Sequence, residues 1–189
     1  MNSGDEHGRT PLSLTAENGH EVGAELLLAQ GIEADWRATG DVDQGTTPLS
    51  FAAESRSEAI VKLLLAHQVE ADSKPTSLFC AGQTPLSFAA SEEIVVKLLQ
   101  AHGAEVDLND TWGRTLLSYA VKQGHEAMVE LLLKYGAKAD PERAIGGRTP
   151  LSFAAQHGHE AIAKLILAHE ATVDGRSEAT RSFSKCNAL

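Results

Sequence analysis

The phrase Thr-Pro-Leu-Ser begins at Thr10, Thr47, Thr84 and Thr149, and Thr115-Leu116-Leu117-Ser118 is the same phrase with its proline replaced. The five copies start 37, 37, 31 and 34 residues apart. A unit of that length is too small to bury its own apolar face, so such units must stack, and their core lies between neighbours. This constrains the chain more tightly than its 189 residues do, a length that would also suit one ordinary globular domain. Aromatic residues make up only 5% while Leu and Ala dominate, which favours closely packed helices over an aromatic-rich β-sandwich.

Each copy reads as a pair of helices. The Thr is an N-cap acceptor, and proline at the first helical position loses no hydrogen bond because that N–H is unpaired anyway. Gly8, Gly45, Gly82, Gly113 and Gly147 stand two residues before the Thr, where a turn is expected to need positive φ. Leu12, Leu49, Leu86, Leu117 and Leu151 are expected to pack inward. The pairs Ala52-Ala53, Ala89-Ala90 and Ala154-Ala155 let helices approach closely, with Thr15 and Val121 as larger exceptions. A second helix follows Gly19-His20, Arg56-Ser57, Gly124-His125 and Gly158-His159. Glu21, Glu58, Glu126 and Glu160 fall in its first turn, where the helix dipole favours negative charge. Its apolar face is leucine-rich, as in Ile60 to Leu65 and Met128 to Leu133. Gly31, Gly103 and Gly136 then supply left-handed caps, whereas Gln68 and Glu170 replace the glycine. Those two ends are expected to be less stable by up to ~1 kcal/mol.

Together these copies resemble the ankyrin pattern D-x-x-G-x-T-P-L-H-x-A-A-x-x-G-H-x-x-x-V-x-L-L-L-x-x-G-A from Asp5 to Asp174. Serine replaces the pattern's histidine in all five copies, at Ser13, Ser50, Ser87, Ser118 and Ser152, a variant similar to arrays common in filamentous fungi. The resemblance implies an all-α ankyrin-repeat solenoid of five helix-turn-helix units with short finger loops. The domain spans 5–175, with repeats at 5–41, 42–78, 79–109, 110–143 and 144–175, followed by a tail at 176–189.

The copies differ in ways that matter for shape. Four extra residues precede the next Thr after copies one and two, in Asp35 to Gly45 and Asp72 to Gly82, so these connections are expected to protrude as longer fingers. Copy three is shorter by two residues between Ala90 and Val95, and its first helix is expected to end early. The last copy retains apolar Ile162, Leu165, Ile166 and Leu167, although a solenoid usually ends in a polar capping unit. Either the tail from Gly175 to Leu189 covers that face or the chain is part of a longer array, and the second reading is preferred.

A catalytic or metal chemistry finds little support. Of the eight histidines, His20, His125 and His159 occupy the turn between helices, and His67, His102 and His169 recur near the end of the second helix. No His-x-x-x-His or His-Glu-x-x-His spacing occurs, so no metal site is expected. Cys80 and Cys186 are too few for a disulfide framework, and Cys80 has no nucleophile elbow or activating context. Every repeated glycine is explained by a turn, which leaves no phosphate-binding loop and no expected cofactor. The formal charge of −10 opposes nucleic-acid binding. No stretch approaches the ~20 apolar residues of a membrane span, and the polar, acidic segment from Met1 to Gly8 lacks the regions of a secretory signal. A cytoplasmic or nuclear location is therefore expected, where the sequon at Asn109-Asp110-Thr111 stays inert. The terminal Cys186-Asn187-Ala188-Leu189 fits the loose prenylation form; a membrane partner is not expected unless Cys186 is so modified.

In proteins of this kind, partners are held by finger tips, the residue before Thr and two positions after Ala-Ala. The resemblance thus implies Glu6, His7, Arg9, Glu17 and Asn18 in copy one, and Asp43, Gln44, Thr46, Glu54 and Ser55 in copy two. Copy three offers Cys80, Ala81, Gln83 and Ser91. Copies four and five offer Thr111, Trp112, Arg114, Lys122 and Gln123, then Ile145, Gly146, Arg148, Gln156 and His157. The principal candidates are Arg9, Glu17, Glu54, Trp112, Arg114, Lys122, Gln123, Ile145, Arg148, Gln156 and His157, all expected on one concave face. The function implied is a protein-interaction scaffold or adaptor. Its rivals are a metal- or His/Glu-assisted hydrolase, which would need a deep pocket with three or more convergent titratable groups, and a targeting module of a larger protein.

Overall fold

The structure is a computed structural model and describes residues 4–39, 45–74, 83–89, 92–139 and 149–170. The helices are α1 (Pro11–Glu17), α2 (Glu21–Ala29), α3 (Pro48–Glu54), α4 (Glu58–Ala66), α5 (Pro85–Phe88), α6 (Glu93–Ala101), α7 (Leu116–Gln123), α8 (Glu126–Lys134) and α9 (Pro150–His157). Residues 160–170 are helical as well and are labelled α10. No strand occurs among the described residues. The first helices pack in succession, α1 on α3, α3 on α5, α5 on α7 and α7 on α9, while α2 packs on α4 and α4 on α6. Two rows of helices thus enclose one continuous core, the all-α solenoid that the repeats require.

Every first helix begins in the same way. The side chains of Thr10, Thr47, Thr84, Thr115 and Thr149 accept the backbone N–H of the serine three residues on. In the first four copies the serine Oγ also lies 3.2 to 3.3 Å from the Thr Oγ1. In copy four Ser118 Oγ accepts the Thr115 N–H as well, closing a reciprocal capping box. These Thr-Ser pairs are buried in copies one to four. The serine that departs from the ankyrin pattern is thus a compact partner for the cap, and it leaves neither hydroxyl of the pair unsatisfied.

Leu12, Leu49, Leu86 and Leu117 are buried as expected and share the core with Ile60, Leu64, Leu99, Val129 and Leu132. Each such side chain contributes about 1.5–3 kcal/mol relative to exposure. The last copy departs from the expected pattern. Leu151 is only half-buried and Ala155 is exposed, although Ala154 is covered. The same residue types that are buried between two units are left at the end of the described stack, with no described unit beyond them.

Gly8, Gly45 and Gly113 have the positive φ that their turns require; Gly82 and Gly147 lie outside the described residues. Among the described residues, two side-chain-bearing residues take the left-handed conformation, Arg56 at φ 60° and Gln68 at φ 58°. Both stand where sister copies have glycine, and both retain the Cβ that disfavours this region. In copy three, α5 stops after four residues and α6 is entered from Glu92. The shortened helix packs on α7 less extensively than the other neighbouring first helices pack on one another.

The long connections at Asp35 to Gly45 and Asp72 to Gly82 lie partly outside the described residues. At the base of the first, the Ala38 N–H bonds to Thr46 O at 2.9 Å and the Gly45 N–H to Ala38 O at 2.7 Å, which closes the loop at its root. Adjacent units are also linked by polar contacts. The Asp72 carboxylate accepts the Glu105 N–H at 3.1 Å, Asp107 accepts the Lys138 N–H at 2.9 Å, and Lys74 Nζ reaches Asn109 O at 2.9 Å. The tail at 176–189 lies outside the described residues.

Candidate partner-binding site

The finger of copy four is built on Asp110, whose side chain is 1% exposed. Its Oδ1 accepts the backbone N–H groups of Trp112 and Arg114, each at 2.8 Å. Its Oδ2 accepts Arg114 Nε at 2.7 Å and the Tyr119 hydroxyl at 2.7 Å. Four donors on one carboxylate compensate its burial, and those to charged groups are the stronger kind of hydrogen bond. Gly113, at φ 73°, turns the chain so that residues 112 and 114 both face the acid. The Arg114 guanidinium lies 4.2 Å from the Trp112 ring centre and 4.9 Å from that of Tyr119, so two aromatic faces hold the cation as well. Tyr119 rises from α7. Burial, then its hydrogen bond to Asp110, pushes its hydroxyl well above the ordinary tyrosine range, so it stays a donor.

Copy one has the same scaffold with a different outcome. Asp5 accepts the N–H groups of His7 and Arg9 at 2.9 Å and Arg9 Nε at 3.1 Å. The hydrogen bond from the Arg9 backbone is the largest cause holding the Asp5 carboxyl below its ordinary value of 3.8. Arg9, however, also pairs with Glu17 at 3.1 Å. The position of Glu17 on α1, seven residues after the capping Thr, is occupied in α7 by Lys122. Finger one therefore sets two carboxylates on one guanidinium, whereas finger four sets one carboxylate on its guanidinium and carries a lysine at the matching helical position. Among the described residues Asp110 is the only carboxylate paired with Arg114, and Lys122 makes no ion pair.

The other candidates named from the sequence are distributed as follows. Glu17, Glu54, Lys122, Gln123, Gln156 and His157 are exposed. Gln123 Oε1 lies 2.8 Å from His125 Nε2, and His157 Nδ1 lies 2.9 Å from Phe153 O while its ring stacks on His159. Trp112 is 47% exposed. Ile145, Gly146, Arg148, Asp43, Gln44, Cys80, Ala81 and Ser91 lie outside the described residues. The structure brings Trp112 and Arg114 into one cluster and joins Arg9 to Glu17. It also adds Asp110 and Tyr119, which were not among the candidates. Asp110 was legible, because Asp-x-x-Gly-Arg-Thr occurs twice, at Asp5 to Thr10 and at Asp110 to Thr115.

A groove between α8 and α10 is lined by Glu126, Ala127, Glu130, Ala161, Lys164, Leu165 and Ala168 and is open to solvent. Among the described residues no group of three or more His, Cys, Asp or Glu is placed to hold a metal ion, and no helix is long and apolar enough to cross a membrane. The family model of ankyrin repeats in three copies matches residues 1–76, 24–110 and 86–177. No curated protein matches the chain.

Proposed function

Because this chain belongs to the ankyrin-repeat family, we propose that it is a protein-interaction scaffold or adaptor that grips its partner on the concave face of its fingers and first helices. Ankyrin repeats are in general protein–protein interaction modules, and a solenoid presents a broad surface rather than a reaction pocket. The observation that carries the reading is the fourth finger. Trp112 is half exposed beside an arginine whose position is fixed by Asp110 and by two rings. Trp, Tyr and Arg are the residues that most often dominate interface energetics, and a cluster already held in place loses little freedom on binding. Lys122, Gln123, Gln156 and His157 extend the surface along α7 and α9, and the repeat pattern adds Ile145 and Arg148, which lie outside the described residues. Arg9, Glu17 and Glu54 contribute at the other end. The C-terminal half carries most of the affinity.

Affinity capture from native extract followed by mass spectrometry tests this. The intact chain is compared with Trp112→Ala, whose fold is checked by circular dichroism. A protein retained by the intact chain and lost from the variant is the expected result. An identical retained set from both chains, with the fold intact, contradicts the assignment of this face.

A further inference from the structure

We infer that the fourth finger and α7 form a receptor for an acidic segment of the partner, one whose Asp or Glu side chain pairs with Arg114 and Lys122. The inference rests on the binding face proposed above and names the chemistry of its occupant. Its ground is the contrast between two fingers of the same design. In copy one the Asp5 carboxylate orients Arg9, and Glu17 on the adjoining helix closes on the same guanidinium at 3.1 Å. That contact establishes that the seventh residue after the capping Thr reaches the finger arginine. In copy four that position is Lys122, so the sequence puts a second cation at the helical place from which copy one delivers the neutralising acid. Asp110 already gives its Oδ2 to Arg114 Nε and to Tyr119. A carboxylate from outside therefore supplies the countercharge that Glu17 supplies in copy one.

The surroundings favour a peptide carboxylate. Arg114 is 26% exposed at its side chain, and Trp112 beside it offers an apolar face for the residues flanking the acid. A guanidinium held against two rings keeps its orientation, which suits the planar, two-point recognition of a carboxylate. The chain as a whole carries a formal charge of −10 and repels acidic segments elsewhere. The acidic segment is thus steered to this end of the array.

The test uses the full chain and three fluorescein-labelled peptides of about twelve residues, in which the same Ser and Leu positions alternate with Glu, Gln or Lys. Fluorescence anisotropy is expected to rank the Glu peptide roughly tenfold or more above the Gln peptide at low salt, with the advantage shrinking as salt is raised. Lys122→Glu reproduces the arrangement of copy one and is expected to abolish that preference while leaving the helical spectrum intact. Arg114→Gln reduces it comparably. Lys62→Gln, on the outer helix α4, retains it. Equal binding of the Glu and Gln peptides, no binding of the Glu peptide, or full preference in Lys122→Glu overturns the inference. If that happens while capture from extract still depends on Trp112, only the acidic occupant is lost. Loss of Trp112 dependence as well removes the binding face itself.

Discussion

At the scale of single residues, the side chains of the fourth finger are fixed by more partners than the repeat requires. Asp110 accepts four hydrogen bonds while buried, so Asp110→Ala would strand Arg114 and Tyr119 together. We expect a loss of about 3 kcal/mol in urea unfolding, whereas Tyr119→Phe, which removes one donor, should cost about 1 kcal/mol. A loss under ~0.5 kcal/mol for Asp110→Ala would place the finger outside the cooperative structure. Arg56 and Gln68 make the opposite prediction. Each holds a left-handed φ with a Cβ in place, and Arg56→Gly or Gln68→Gly should stabilise the array by up to ~1 kcal/mol. Gln68 was legible as a strained position by comparing the copies, because glycine occupies the corresponding place at Gly31, Gly103 and Gly136. Tyr119 was not, since its bond to Asp110 depends on where one turn of α7 brings its hydroxyl. Asp5 gives the residue scale a pH dependence. Its carboxyl is held below 3.8 in the fold, so its contribution is present above that value and is lost as pH falls through the lowered one. An NMR titration should find the Asp5 carboxyl protonating below 3.8 together with the loss of its bond to the Arg9 amide. An Asp5 that titrates at 3.8 would contradict the finger geometry.

Among the elements, α5 is the one to watch. Its four residues leave copy three with the least helix to offer its neighbours, and stability in a linear array is a sum of units and their interfaces. Hydrogen exchange should therefore be faster from Ala90 to Val95 than over the matching turns of copies four and five. Uniform protection across the three would reject the weak point. The starts of the first helices were fully legible, because each Thr-x-x-Ser cap is a local chemical arrangement whose four residues are adjacent in sequence. The shortening of α5 was legible too, from the two residues missing before Val95. What the sequence hid was the exposure of Leu151 and Ala155. Their types match the buried residues of the inner copies, and only their place in the stack sets them apart.

Across the whole molecule, five units share one core, and the fingers and the outward positions of the first helices differ from copy to copy. The ankyrin fold was therefore written five times over in the sequence, whereas the site is written once. The exchange of Glu17 for Lys122 at the seventh position after the capping Thr is visible as one letter. Its meaning depends on the Arg9–Glu17 contact that only the structure supplies. The polarity that follows runs along the array, with carboxylates in excess at finger one and cations in excess at finger four. Association of the native partner should therefore slow with rising salt. The most direct test of the central claim is the affinity of that partner, measured by calorimetry, for the intact chain and for Trp112→Ala. A loss of ~2 kcal/mol or more, with the thermal unfolding of the variant unchanged, is the predicted result; native affinity in a folded Trp112→Ala chain would contradict it.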